Sequence, residues 1–176
     1  MKTTSFLHKF HSKGFTLLEL IVVMSVLGVL ASVVLLIVDP AEQLARGRDT
    51  NRLQLVSQLG HAIQAYYFVE GELPTPNTEW QQTLKNSKEI TNTQAAPSGA
   101  TPVCNTFPVG EICYTGTGTE FLVWTTAESQ QYKNRAAGDG DPCTTLGLVA
   151  YIIYMGAQGK AGVACSGEPI GSVALN

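Results

Sequence analysis

The chain has 176 residues, of which 44% are hydrophobic and only 14% are charged, so it has room for one compact domain with an appendage. Soluble domains usually carry about 25% charged residues, while the high apolar content excludes an intrinsically disordered chain. The net charge of −3 is uneven, because residues 1–14 hold three lysines and no acid, whereas the remainder holds eight basic and fourteen acidic residues. This acidic remainder argues against general nucleic-acid binding, which needs a concentrated basic surface.

An uncharged run of 19 residues extends from Leu20 to Val38. As a helix it would measure about 28 Å, close to the hydrocarbon thickness of a bilayer. We therefore expect a membrane span; a buried core helix is the alternative, although core helices of this length normally keep a polar face. A cleaved secretory signal does not fit, because the small residue Gly14 precedes the apolar run and no A-x-A pattern follows it. The basic start predicts a cytoplasmic N-terminus, with the chain from Asp39 onward on the other side.

Glu19 lies just inside this apolar segment. A carboxylate at membrane depth is costly and marks a candidate functional residue. The alternative is an acid at the headgroup level, where the dipole of the helix N-terminus favours it.

The segment Lys13-Gly14-Phe15-Thr16-Leu17-Leu18-Glu19-Leu20 resembles the processing site of type IV pilins and type II secretion pseudopilins, which carry class III signal peptides. The resemblance implies that a prepilin peptidase cuts between Gly14 and Phe15 on the cytoplasmic side and then methylates the new amine of Phe15. It also implies that Glu19 guides subunit assembly, since its carboxylate can pair with the Phe15 amine of a neighbouring subunit and so avoid the cost of an unpaired charge.

A second helix is predicted from Pro40 to Glu70. Asp39 can cap its start and Pro40 suits the first helical position, and we expect the membrane helix to bend at residues 38–40 and continue into it. Gly71 can end the second helix. Three arginines near its start, Arg46, Arg48 and Arg52, could meet lipid phosphates, DNA or acidic neighbours. A solvated, salt-bridged helix face is the simpler interpretation.

The remainder of the chain is predicted to be rich in turns and strands. A short helix is expected at Glu79–Leu84, and strands at Glu111–Thr115, Glu120–Thr126, Leu146–Met155 and Gly162–Cys165, with a hairpin turn at residues 116–118. The predicted fold class is α+β, with one long N-terminal helix whose amphipathic half packs on a small antiparallel sheet. This is also the layout that the resemblance implies.

All four cysteines, Cys104, Cys113, Cys143 and Cys165, lie beyond the apolar run, which fits disulfides in an oxidising compartment. Three pairings are possible, and we favour Cys104–Cys113 with Cys143–Cys165 because each closes a local loop. A zinc site is the alternative, but no C-x-x-C pair is present.

Two acids near Glu128, Asp139 and Asp141, are weak calcium-ligand candidates, and a polar turn is the alternative. No other cofactor is expected. The sequence contains none of the G-x-S-x-G, phosphate-loop or cysteine–histidine patterns that would indicate catalysis. We therefore expect a protein that is not an enzyme.

Together these features predict four segments: a cleaved leader at 1–14, a transmembrane and filament-core helix at 15–38, an amphipathic helix at 39–70 and a head at 71–176. The predicted protein is a single-pass cytoplasmic-membrane precursor, held in lipid and then assembled with identical and related subunits by a platform protein and an ATPase. Residues 46–49 and 71–76 favour a type II secretion pseudopilin. The alternatives are a type IV pilus subunit for adhesion, twitching motility or DNA uptake, and a membrane-tethered binding or enzymatic domain.

Overall fold

The structure, a computed structural model, describes residues 14–37, 39–97, 109, 111–136, 143 and 148–166. It divides into two compact units, residues 1–40 and 41–176, which are taken in turn.

The first unit contains one helix, α1, at Leu17–Ile37. Thr16 caps it, because the Glu19 backbone N–H donates a hydrogen bond to Thr16 Oγ1 over 3.2 Å. The spacing of Thr16 and Glu19 is that of a capping box. Leu17–Val34 is long and apolar enough to cross a membrane, and the side chains described in this helix are exposed all around its axis. The two hydroxyls within it are satisfied internally, since Ser25 donates to the carbonyl of Ile21 and Ser32 to that of Val29, both over 2.7 Å.

The second unit is built on α2, at Pro40–Glu70, which has the bounds predicted for the second helix. It ends at Gly71, whose φ of +77° is a conformation that favours glycine. One face of α2 supplies apolar residues to the main core, among them Val56, Leu59 and Ile63, which are fully buried. This stripe follows the helical period, and so the helix is fixed by the burial of one face.

Four antiparallel strands form a sheet in the simple order β1-β2-β3-β4. They are β1 at Cys113–Thr117, β2 at Glu120–Thr126, β3 at Val149–Met155 and β4 at Lys160–Ser166. One face of the sheet shares the main core with α2, through residues such as Val123, Ile152 and Val163. The opposite face is also buried, and its core contains Cys113, Trp124, Tyr151, Ile153 and Ala164. The α+β fold class is therefore confirmed.

Two short helices complete the described part of the head, α3 at Trp80–Asn86 and α4 at Gln130–Ala136. The fully buried Trp80 packs on Tyr114, with ring centroids 5.0 Å apart. The Tyr114 hydroxyl donates a 2.8 Å hydrogen bond to the Pro74 carbonyl. This contact fixes the segment between α2 and α3 on the sheet.

Four of the predicted elements of the head differ from the structure in their bounds, and one helix was not predicted. The first strand begins at Cys113 rather than Glu111, because Glu111 has a φ of +65° and cannot continue a strand. The third is described at Val149–Met155 and does not include Leu148, whereas residues 146 and 147 of the predicted strand lie outside the described residues. The fourth is longer than Gly162–Cys165. The predicted helix at Glu79–Leu84 starts one residue later and runs two residues further. Sequence periodicity did not predict α4, whose seven residues are too few to show a clear pattern.

Helix α2 and the sheet are in close contact at Gly60. A Cβ added there would overlap the ring of Tyr154, coming within 2.6 Å of its Cε1 atom. The ring has no room to move, because it is fully buried, stacks on Phe121 with centroids 6.0 Å apart, and donates a 2.8 Å hydrogen bond to Gln64 Oε1. Only glycine fits at this crossing.

We expect Gly60→Ala to destabilise the head by about 1–3 kcal/mol, the usual cost of overpacking a well-packed core. Gly47→Ala is the matched control on the same helix, because an added Cβ there meets nothing within 4 Å and alanine favours the helix. Urea unfolding of both variants measures the difference. Equal stability of the two would show that α2 can move away from Tyr154.

Candidate functional site

The predicted processing site lies on the exposed stretch before α1. Gly14, Phe15 and Thr16 have no regular secondary structure, and Phe15 is 70% exposed. A Cβ added at Gly14 meets nothing within 4 Å. Among the described residues, nothing packs against position 14. A requirement for glycine there would therefore come from a partner that binds this segment.

The structure places the Glu19 side chain on the exposed surface of the first turn of α1. Within the described residues no ion pair is recorded for this carboxylate. The dipole of α1 favours a negative charge in its first turn. Glu19 can therefore stabilise its own helix, in addition to the predicted role between subunits. The apolar residues beside it are about half exposed or more, including Leu17 at 75% and Leu18 at 72%. A helix with this surface needs lipid or other helices around it.

Two comparisons with known proteins found similarities to this chain. Residues 9–35 match the family described as the prokaryotic N-terminal methylation motif. A "Fimbrial protein" of Neisseria meningitidis serogroup A / serotype 4A (strain DSM 15465 / Z2491) is 40% identical over 68 residues, which make up 38% of each chain. The chain is therefore similar to proteins with this methylation motif and, over part of its length, to a fimbrial protein. The match spans less than half of the relative's length, and no solved structure matches the chain.

In the second unit, which comprises α2 and the head, a network of charged side chains joins α2 to the segment between β2 and α4. Its centre is Asp49, which is fully buried. The Asp49 carboxylate accepts hydrogen bonds from the backbone N–H groups of Glu128, over 3.0 Å, and Ser129, over 2.7 Å. It also accepts one from Arg52 Nη1 over 2.6 Å. A buried carboxylate with this many donors is compensated for its loss of water.

Glu128 completes the network from the other side. Its carboxylate is bound by Arg48, with Nε at 2.9 Å and Nη2 in an ion pair, and by Arg52 Nη1 at 3.3 Å. The hydrogen bond from Arg48 is the main cause that lowers the pKa of Glu128, and Arg52 adds to it. The same contact raises the pKa of Arg48. Arg52 is fully buried and also donates to the Pro97 carbonyl over 2.8 Å.

These contacts refine the interpretation of the three arginines. Arg46 does lie on a partly exposed face, paired with Glu42 over 3.1 Å. Arg52 does not belong to a solvated helix face, because it is buried and holds the head together. Asp49 and Glu128 were not identified as partners, and the one signal in the sequence was the spacing of Asp49 and Arg52, three residues apart on one helix.

The structure contains the disulfide Cys143–Cys165, with Cα atoms 5.7 Å apart, which ties residue 143 to β4. Cys113 is disulfide-bonded as well, and its predicted partner Cys104 lies outside the described residues. The calcium candidates Asp139 and Asp141 also lie outside them. In the part of the chain that the structure describes, no group of three or more His, Cys, Asp or Glu residues could hold a metal ion.

Proposed function

We propose that this chain is a structural subunit of a type IV pilus-like filament. The observation that carries the proposal is α1, an exposed helix that is apolar on all sides and directly follows the Gly14–Phe15 motif. Lipid would cover this helix before assembly, and the helices of other subunits would cover it in the filament. In this proposal the subunit is not a catalyst. It is instead the substrate of the prepilin peptidase, which cleaves it after Gly14 and methylates Phe15.

The processing step prepares the charge that assembly uses. Cleavage between Gly14 and Phe15 removes the three leader lysines and creates a positive amine at Phe15. Glu19 lies four residues further along the chain, so the new amine and this carboxylate are both near the start of α1. Among packed helices the same carboxylate can pair with the Phe15 amine of a neighbouring subunit, which removes the penalty of a lone charge in apolar surroundings.

Cleavage is tested by the intact mass of the chain extracted from membranes. We expect loss of residues 1–14 and the added mass of one methyl group on Phe15. Gly14→Val should leave the uncut chain, because a branched side chain obstructs the peptidase at an exposed site where the fold itself has room. Gly28→Ala is the matched control, since Gly28 also has open space, and it should be cut normally. An intact N-terminus in the unaltered protein would instead favour a membrane-tethered binding or enzymatic domain.

Two kinds of filament are compatible with this subunit. The similarity to a fimbrial protein favours a surface fibre for adhesion, twitching motility or DNA uptake. The type II secretion pseudopilus predicted from residues 46–49 and 71–76 is the alternative. In both, the precursor spans the cytoplasmic membrane with its N-terminus inside, and an assembly ATPase and platform protein move it into the fibre, with the head periplasmic or extracellular.

Deletion of the gene distinguishes the two filaments. A surface fibre predicts loss of fibres from intact cells under the electron microscope, with secreted proteins unchanged. A pseudopilus predicts retention of folded secretion substrates in the periplasm, with surface fibres unchanged.

A further inference from the structure

The first turn of α4 is held by carboxylates of another helix. The N–H groups at the start of a helix have no partner within it, and here α2 supplies the acceptors. Asp49 accepts from residues 128 and 129. Glu42 accepts from the N–H groups of Gln130, over 3.0 Å, and Gln131, over 3.2 Å. Two acids of α2, seven residues apart, therefore take four consecutive donors.

The two acids differ in their surroundings. The Asp49 side chain is buried together with Arg52, and neither is exposed. Glu42 lies at the edge, with its side chain 20% exposed and paired with Arg46, which is 41% exposed. Water can replace the contacts of Glu42 more easily than those of Asp49. Residues 128 and 129, which bind Asp49 and form the base of α4, are thus held more firmly than residues 130 and 131, which bind Glu42.

Beyond that turn, α4 is attached by packing, by a 3.5 Å contact between the Tyr132 hydroxyl and Thr50 Oγ1 of α2, and by a 3.6 Å contact between the Lys133 carbonyl and Cys143 Sγ. Tyr132 and Ala136 are its buried residues, and α4 packs on β3 and β4. Cys143 is bonded to Cys165 of β4. The disulfide keeps Cys143 on β4 if α4 moves.

We propose that α4 is a flap with a hinge at Ser129, in which Asp49 anchors the base, Glu42 is a releasable latch on the first turn, and the Cys143–Cys165 disulfide limits the opening. The N-cap geometry fits a hinge at this point, since Ser129 Oγ accepts from the Tyr132 N–H over 3.4 Å. Opening uncovers Tyr132 and Ala136. The flap is therefore a device that changes the apolar surface of the head while the sheet stays intact.

Acid is expected to release the latch. The Gln130 N–H is the main cause that lowers the pKa of Glu42 below 4.5, Arg46 and the Gln131 N–H act in the same direction, and burial acts against them. A carboxyl whose pKa is lowered in the folded state stabilises that state above its unfolded pKa and loses this effect as the pH falls through the lower folded value. Glu128, which faces Arg48 and Arg52, has a lowered pKa as well and weakens at the base in the same range.

The test is hydrogen–deuterium exchange of the full chain in detergent micelles, comparing the unaltered protein with Glu42→Gln at pH 7. The substitution keeps the shape of the side chain and removes its charge. We expect peptides covering 130–136 to exchange roughly tenfold faster, as the loss of charge-assisted hydrogen bonds predicts, while peptides of β3 keep their protection. The unaltered protein, corrected for intrinsic exchange rates, should show the same local loss when the pH falls below 4.5.

Glu70→Gln is the matched control, because Glu70 is an exposed acid at the other end of α2, and it should leave 130–136 unchanged. Equal exchange of α4 in Glu42→Gln and this control would overturn the latch. Loss of protection in β3 to the same extent as in α4 would overturn the flap, since α4 would then open only with the whole head. Should Glu42→Gln fold poorly, acid titration of the unaltered chain still tests the flap, because residues 130–136 must lose protection at a pH at which β3 keeps it.

Discussion

Glu19→Val is expected to reduce filament yield by at least roughly tenfold, while the chain still enters the membrane and is still cut after Gly14. Valine makes the start of α1 more apolar, so insertion improves if it changes at all. In the filament proposed above, the variant would lose the partner of the Phe15 amine in a neighbouring subunit. Removing one member of a buried ion pair costs about 3–5 kcal/mol, because the other charge is left uncompensated. Each added subunit meets this cost, and assembly fails at that step.

The matched control for Glu19 is Ser25→Ala. Ser25 is a polar residue of the same helix, but its hydroxyl is satisfied by the Ile21 carbonyl, so its loss should leave assembly unchanged. Sheared fibres measured against total membrane-bound subunit give the yield, and intact mass verifies cleavage. A normal yield for Glu19→Val would show that the Glu19 carboxylate serves only the first turn of α1, where Thr16 also acts.

Asp49→Ala is expected to destabilise the head by about 3–5 kcal/mol, the cost of leaving a buried charge unpaired. Arg52 would lose its closest carboxylate while remaining fully buried, and the N–H groups of Glu128 and Ser129 would lose their acceptor. Few domains have more than about 15 kcal/mol of stability in total. The variant should therefore yield much less folded subunit.

Tryptophan fluorescence during urea unfolding measures this effect, because Trp80 and Trp124 are both buried in the head. Asn51→Ala, an exposed position two residues along the same helix, is the control and should change stability by less than about 0.5 kcal/mol. If Asp49→Ala and Asn51→Ala unfold at the same urea concentration, the buried network makes no net contribution to the stability of the fold.

The sequence predicted those features that depend on neighbouring residues. The apolar run, the motif around Gly14 and Glu19, and the bounds of α2 all arise from local spacing, and helix ends follow from Pro40 and Gly71. The start of β1 was misplaced because Glu111 adopts a left-handed conformation, which is uncommon for a non-glycine residue. No local sequence pattern predicts that conformation.

The charged network could not be predicted for a different reason. Asp49 and Glu42 meet backbone groups that lie 79 to 89 residues further along the chain. Which acids face which N–H groups depends on how α2 packs on the sheet, and that packing depends on contacts such as Gly60 with Tyr154. A lone arginine in the sequence therefore gives no sign of whether it will be solvated, like Arg46, or buried, like Arg52.

The uniform apolar surface of α1 has a mechanical consequence for any bundle built from it. When one such helix slides or turns against another, each apolar contact is exchanged for an equivalent one, so hydrophobic burial resists sideways separation strongly and axial slip only weakly. A fibre built from such helices would resist separation of its subunits sideways and would stretch more easily along its axis. The polar groups at the start of the helix are then the points at which slip is opposed, and they set where an extended fibre returns when tension is released.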